Sequence, residues 1–200
     1  MKNIVFLASG NGSNFQAVAD AIDSGFIDAR ISKLICNNKN GFVLQRAKNM
    51  GIESILINSK NDYNNLIYII LKEENPDLIV LDGYMKILSE NIINEFVYKI
   101  INLHPSLLPA FGGKGYYGKI VHENVIASGA RYSGCTLHFA TNDVDNGPII
   151  DQRVVEVLDD DTPESLEEKI HKVEHESLIF SINLVLNKIY EISGKRVKRL

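Results

Sequence analysis

Residues 1–22 read MKNIVFLASGNGSNFQAVADAI, and this stretch decides the fold class. The apolar run from Ile4 to Ala8 predicts a buried strand, which ends in the polar turn SGNGSN at residues 9–14. After the turn, apolar side chains recur at helical spacing from Phe15 to Ile22. The turn therefore joins a strand to a helix and is not the Asn-Gly turn of a β-hairpin.

The same alternation of short apolar strands and longer helical segments continues along the chain. Strands are predicted at residues 3–8, 30–36, 54–57, 77–81, 99–103, 134–140 and 149–157. Helices are predicted at 13–24, 41–50, 62–74, 89–98, 121–127 and from Pro163, which follows the N-cap Thr162, to about Asn187. We expect one α/β domain over residues 1–200, Rossmann-like, with a mostly parallel central sheet, helices on both faces and an antiparallel C-terminal part.

Composition excludes several classes of protein. With 45% hydrophobic residues in 200, the chain can bury a core, and its net charge of −4 argues against a nucleic-acid-binding surface. Cys36 and Cys135 lie far apart and form no zinc or disulfide pattern, so both are expected to be buried thiols. The first apolar run is too short for a signal peptide, and nothing approaches the roughly 18 apolar residues of a membrane span. We expect a cytoplasmic protein with no membrane or nucleic-acid partner.

The turn at residues 9–14 favours a small anionic ligand. Such turns lie at the carboxyl end of a parallel sheet, where the N–H groups and dipole of the following helix favour phosphate. Gly10 and Gly12 begin a dinucleotide fingerprint, but Phe15 stands where its third small residue belongs, and no P-loop Gly-Lys follows. Two interpretations remain: Ser13 and Asn14 bind a monophosphate, or they are a structural N-cap.

Two further stretches carry residues suited to catalysis. In INLHPSLLPAFGGKG (101–115), Asn102 and His104 alternate with apolar residues at the end of a predicted interior strand. In HFATNDVDNGPII (138–150), Asp143 and Asp145 lie in a turn directly after a strand. These aspartates suit simple turn chemistry. The functional hypothesis is that one carboxylate raises the pKa of His104 and holds it as an imidazolium.

Four motifs together resemble a known family. GNGSN (10–14), DGYMKILS (82–89), NLHPSLLP (102–109) and VDNGPII (144–150) are similar to those of the folate-dependent phosphoribosylglycinamide formyltransferases, within the formyltransferase-hydrolase superfamily. The resemblance covers roughly residues 2–190. It implies formyl transfer from the co-substrate 10-formyltetrahydrofolate to the amine of glycinamide ribonucleotide, the third step of de novo purine biosynthesis, without a metal.

The resemblance also implies three groups of site residues. Those that bind the nucleotide substrate would be Gly12, Ser13, Asn14 and Glu174. Those near the folate would be Lys60, Asn102 and the backbone of Met85, Lys86, Ile87 and Leu88. The catalytic residues would be Asn102, His104 and Asp145. Asn102 and protonated His104 would donate hydrogen bonds to a tetrahedral oxyanion, and a proton would pass through His104 or a water held by Asp145.

Several interpretations stay open at this point. The segment AFGGKGYYGKI (110–120) departs from the family pattern, so no substrate contact can be assigned to residues 110–119, and His138 either lines the site or is simply buried. His171, Glu174 and His175 match the HxxEH pattern of an inverted zinc peptidase, with only Glu191 available as a third ligand. A nicotinamide-dependent reductase also stays open as a hypothesis, because of the partial glycine fingerprint. The lack of an RGAAP-like segment argues against a methionyl-tRNA formyltransferase, and the presence of Asn102, His104 and Asp145 together argues against a non-catalytic nucleotide-binding regulator.

Overall fold

The computed structural model describes residues 1–59 and 62–200. The chain divides into two compact units, Met1–Ile101 and Asn102–Leu200. The expectation of a single domain over residues 1–200 stays a prediction. Lys60, which the sequence placed near the folate, lies outside the described residues.

Strands and helices alternate in the first unit. Their bounds are β1 (Lys2–Ala8), α1 (Ser13–Asp23), β2 (Ala29–Cys36), α2 (Val43–Asn49), β3 (Glu53–Leu56), α3 (Tyr63–Glu74), β4 (Leu78–Asp82) and α4 (Glu90–Glu95). The strands pair in parallel in the order β3-β2-β1-β4. β5 (Ile100–His104) begins in the first unit and ends in the second.

Burial of β1 explains where the polar turn lies. Residues Ile4 to Leu7 are 0% exposed, and because successive side chains point to opposite faces, both faces of the strand are covered. The rings of Phe6 and Phe15 pack edge to face, with 5.2 Å between their centroids. This contact holds α1 against β1. The turn between them follows the last residue of β1, so it lies at the carboxyl end of the strand.

The second unit combines antiparallel strands with two helices. Its elements are α5 (Lys119–Ser128), β6 (Tyr132–Phe139), β7 (Ile149–Glu156), α6 (Pro163–Leu186), β8 (Tyr190–Ser193) and β9 (Arg196–Arg199). β6 and β7 are antiparallel, as are β8 and β9, and β9 joins β7 through the parallel pair Ile149 and Arg196. The strand order is β6-β7-β9-β8.

The long helix α6 begins as the sequence predicts. Ser165 donates its backbone N–H to the Thr162 hydroxyl, and Thr162 returns its own N–H to the Ser165 hydroxyl, while Pro163 occupies the first turn. This capping box satisfies two backbone donors that a helix start leaves free. Further along α6, Glu174 and Ser177 lie on the buried face of the helix.

The α/β class is confirmed, with parallel strands in the first unit and antiparallel strands near the C-terminus. Cys36 and Cys135 are buried free thiols, as expected. The predicted helix 89–98 ends early, at Glu95, because Phe96 leaves the helical region. β8 was not predicted. Within the described ranges, no helix combines the length and apolarity needed to cross a membrane.

A substitution at Gly134 would test how closely β6 and β7 pair. A Cβ at this position would lie 1.8 Å from the carbonyl oxygen of Arg153, an atom that cannot move without disturbing the ladder. We expect Gly134→Ala to lower the free energy of unfolding by about 1–3 kcal/mol, measured by urea denaturation. Gly10→Ala is the control, because its Cβ would meet nothing within 4 Å. Equal midpoints for the two variants would contradict the prediction.

Candidate active site

The turn before α1 leaves the start of that helix without a side-chain cap. Gly12 is the N-cap, with φ of 77°, and as a glycine it has no side chain that could cap the helix. Asn14 instead donates its amide to Asp82, at 3.0 Å. The interpretation of Ser13 and Asn14 as a structural N-cap is therefore wrong, because both residues lie inside the helix. A helix start whose N-cap residue has no side chain suits an anion.

The segment of residues 83–89, after β4, is held by contacts within the first unit. Met85 donates its N–H to the Ser9 hydroxyl at 3.3 Å. The Ile87 carbonyl accepts from the Tyr63 hydroxyl at 3.0 Å and from the Asn64 amide at 3.3 Å. Two of the backbone groups predicted to bind the pterin thus have internal partners. The side chains of Met85 and Ile87 are exposed and leave the segment an open apolar surface.

The second unit brings together Asn102, His104 and Asp145. Asn102 and His104 come from β5, and Asp145 comes from the turn between β6 and β7. Asn102 Nδ2 donates to Asp145 Oδ1 at 3.2 Å, and His104 Nδ1 lies 3.5 Å from Asp145 Oδ2. The three side chains therefore converge although 41 positions separate His104 from Asp145. Their chemical roles stay predictions.

His138 is a fourth member of this cluster, which sequence reasoning left undecided. Its Nδ1 contacts the Phe139 carbonyl at 2.9 Å, and because a carbonyl only accepts, Nδ1 carries the proton. In the neutral ring Nε2 is then the acceptor, and the Asn102 amide nitrogen lies 3.1 Å from it. His138 and Thr136 share one face of β6, and this alternation was the available signal.

These contacts determine how the Asn102 side chain is oriented. Its amide nitrogen faces His138 Nε2 and Asp145 Oδ1, and both of these atoms are acceptors. The opposite orientation would place the amide oxygen against a carboxylate. Both amide hydrogens are thereby engaged, so the carbonyl oxygen of Asn102 is the atom that these two bonds leave unused. The expected donation from Asn102 to an oxyanion stays a prediction, and it would require one of these two bonds to be exchanged for the substrate oxygen.

The segment 110–113 closes on both His104 and Asp145. His104 Nε2 donates to the Phe111 carbonyl at 2.8 Å, and Gly113 donates its N–H to Asp145 Oδ2 at 2.9 Å. Phe111 and Asp145 have φ of 52° and 55°, a region that non-glycine residues adopt at a cost of roughly 1–3 kcal/mol. The surrounding hydrogen bonds offset this strain and keep the two residues in place.

Burial sets the protonation of the cluster. Burial lowers the pKa of His104 below its ordinary value of 6.5 and outweighs the opposing effect of Asp145. Burial alone would raise the pKa of Asp145, but the nearby imidazoles and the Gly113 N–H outweigh it, so the net pKa lies below 3.8. Asp145 raises the pKa of His104, as expected, but burial has the larger effect, so the net shift is opposite to the one expected. The cluster combines an ionised carboxylate with a neutral imidazole at pH 7.

Glu174 lies on α6 in the same unit and is 3% exposed. His171 Nδ1 contacts its carboxylate at 2.8 Å. His122 on α5 is also buried, and its Nδ1 has no hydrogen-bond partner among the described residues. Within residues 1–59 and 62–200, no group of His, Cys, Asp or Glu is arranged to hold a metal ion, and this includes the HxxEH residues of α6.

Comparison with protein families identifies relatives of this chain. Residues 2–182 match the family model described as formyl transferase. A phosphoribosylglycinamide formyltransferase of Bacillus subtilis (strain 168) is 36% identical over 180 residues, which cover 88% of this chain and 90% of the relative. A chloroplastic phosphoribosylglycinamide formyltransferase of Vigna unguiculata is 41% identical over 180 residues, covering 88% of this chain. The matched part spans only 58% of that plant relative's own length.

A solved structure with the same fold supports these matches. The crystal structure of glycinamide ribonucleotide transformylase 1 from Symbiobacterium toebii superposes with a TM-score of 0.93 at 34% sequence identity. The match covers 100% of this chain and 94% of the other. The similarity thus includes both compact units.

The buried imidazoles predict a pH-dependent stability. Burial lowers the pKa values of His104, His122 and His175 in the folded protein, whereas the unfolded chain titrates near the ordinary 6.5. Below that pH the unfolded chain binds more protons, so the free energy of unfolding falls as the pH drops. We expect urea midpoints to decrease from pH 7.5 to pH 5.5. His122→Asn should weaken this dependence, whatever its effect at pH 7.5, and an unchanged slope would contradict the assignment.

Proposed function

Because the chain belongs to the formyl transferase family, we propose that it transfers a formyl group from 10-formyltetrahydrofolate to the amine of glycinamide ribonucleotide. This reaction is the third step of de novo purine biosynthesis. The observation that carries the proposal is the convergence of Asn102, His104 and His138 on the buried carboxylate of Asp145. The named relatives support the choice of substrates.

The substrates are assigned to the residues that suit them. The first turn of α1, from Gly12 to Asn14, would bind the ribose phosphate through its N–H groups. Glu174, on the buried face of α6, would accept hydrogen bonds from the nucleotide. The segment of residues 83–89 would hold the pterin through its exposed apolar side chains and the backbone of Met85, Lys86, Ile87 and Leu88. The Met85 N–H and the Ile87 C=O have internal partners, so the other backbone groups of these residues would make the contacts.

The chemistry follows from the charges of the cluster. The substrate amine attacks the formyl carbon and gives a tetrahedral oxyanion, the amine then loses a proton, and the departing folate nitrogen gains one. Asp145, ionised because its pKa is lowered, would accept the proton of the amine, directly or through a water, and the same proton would then pass to the departing folate nitrogen. The free carbonyl oxygen of Asn102 would accept a hydrogen bond from the attacking amine and orient its lone pair.

His104, as a neutral imidazole, would donate a hydrogen bond from Nε2 to the oxyanion. Its Nε2–H points at the Phe111 carbonyl, so the developing oxygen would replace that carbonyl in the complex. Removing one such donor typically lowers the rate by about 10²–10³. His138 keeps the Asn102 amide in its orientation and would act through Asn102 rather than on the substrate.

The direct test is incubation of the protein with glycinamide ribonucleotide and 10-formyltetrahydrofolate, with tetrahydrofolate release followed over time. Release that requires both compounds, with formylated nucleotide as the second product, is expected. Release without the nucleotide would indicate hydrolysis, and its complete absence would contradict the proposal. Protection against thermal unfolding by NADH but not by folate would favour the nicotinamide-dependent reductase.

Asp145→Asn separates catalysis from binding. The substitution keeps the shape of the side chain but removes the charge that accepts the proton, so we expect kcat to fall by about 10²–10⁴. The dissociation constant for glycinamide ribonucleotide, measured by calorimetry, should stay nearly unchanged. Asp143→Asn is the matched control, because Asp143 is an exposed carboxylate of the same turn. Equal loss of binding and of activity would show that Asp145 is structural.

A further inference from the structure

The turn of residues 10–12 is held from one side by α2. Val43, the first residue of that helix, donates its N–H to the Gly10 carbonyl at 3.2 Å. Its side chain packs against Gly12 so closely that a Cβ on Gly12 would lie 2.5 Å from Val43 Cγ2. α2 therefore contacts the turn both through its backbone and through a side chain.

Arg46, one turn further along α2, makes a second and more directional contact. Its Nε donates to the Asn11 carbonyl at 3.0 Å, and one terminal nitrogen donates to Asn11 Oδ1 at 2.8 Å. The other terminal nitrogen donates to Gln16 Oε1, on α1, at 3.3 Å. The guanidinium also lies over the ring of Phe42, with 5.1 Å to the centroid, which helps to fix its plane. Three donors of one planar group thus bind the turn and the helix that follows it.

This contact matters because the turn has little stiffness of its own. Gly10 and Gly12 flank Asn11, and glycine explores more backbone conformations than any other residue. Gly12 adopts a left-handed φ of 77°, so the direction of the following N–H groups depends on how this part of the chain is held. A ligand that binds a preorganised turn does not have to order it first, and its affinity is correspondingly higher.

We propose that Arg46 is a positioning residue for the phosphate of the nucleotide substrate. Its bidentate contact with Asn11 holds the backbone of the turn so that the N–H groups at the start of α1 point at the ligand. The effect depends on the planar fork of the guanidinium, since an ammonium group has no fixed arrangement of donors. The inference rests on the proposed function, in which residues 12–14 bind the ribose phosphate.

The test compares Arg46→Lys, which keeps the positive charge, with Arg46→Gln, which removes it. We expect both variants to raise KM for glycinamide ribonucleotide about tenfold, the effect of losing hydrogen bonds of ordinary strength. The kcat and the KM for 10-formyltetrahydrofolate should change little. Lys48→Gln is the matched control, because Lys48 is an exposed cation of the same helix. Arg46→Lys with the wild-type KM would overturn the proposal, because charge alone would then suffice.

A second variant removes the partner of Arg46 in the turn. Asn11→Ala removes the Oδ1 acceptor, and the KM for glycinamide ribonucleotide should rise in the same direction as in the Arg46 variants. When the two changes are combined, the rise should be smaller than the product of the two single effects. A lower unfolding temperature with an unchanged KM would overturn the proposal and show that Arg46 serves stability alone. A wild-type protein without formyl transfer would overturn the proposed function, and the inference with it.

Discussion

The rest of the site depends on the hydrogen bonds that the buried carboxylate of Asp145 accepts. One oxygen accepts from the Asn102 amide and the other from the Gly113 N–H, while the imidazoles of His104 and His138 lie 3.5 Å away. Burying an unpaired charge would be costly, so the carboxylate requires the Asn102 and Gly113 donors. Because a carboxylate only accepts, it determines which end of the Asn102 amide faces inward. The strained φ of 55° at Asp145 is compatible with the fold because these bonds hold the turn.

Burial and the neighbouring polar groups have opposite effects on the pKa values of Asp145 and His104. The polar groups have the larger effect on Asp145, and burial has the larger effect on His104. Both groups are buried, which disfavours the charged form of each. Asp145 has several donors within reach and stays ionised, whereas His104 has one carboxylate at 3.5 Å and one carbonyl, and its pKa is lowered. The site therefore offers a proton acceptor and a neutral donor at neutral pH. This combination suits a reaction in which an amine loses a proton while a neighbouring oxygen gains negative charge.

In the first unit, the main structural requirement is to hold the glycine-rich turn of residues 10–12 in one conformation. β1 and α1 are fixed to each other by the Phe6 and Phe15 contact, but the turn between them is polar and contains two glycines. α2 supplies the missing restraint through Val43 and Arg46. The short helix α2 thus contributes to the order of the turn as well as to the core.

The sequence by itself determined the order of strands and helices and the start of α6, because periodicity, capping and turn chemistry are local properties. The candidate site residues came from the motifs that the chain shares with a known family. The resemblance to a known family implied that Asn102, His104 and Asp145 would act together. Only the tertiary structure decided the place of His138, which is 36 positions from its partner Asn102, and of Arg46, which is 35 positions from Asn11. It also reversed the expected pKa shift of His104. The physical reason is that burial and the direction of a hydrogen bond depend on distant segments packed around a group, which no local pattern of residues specifies.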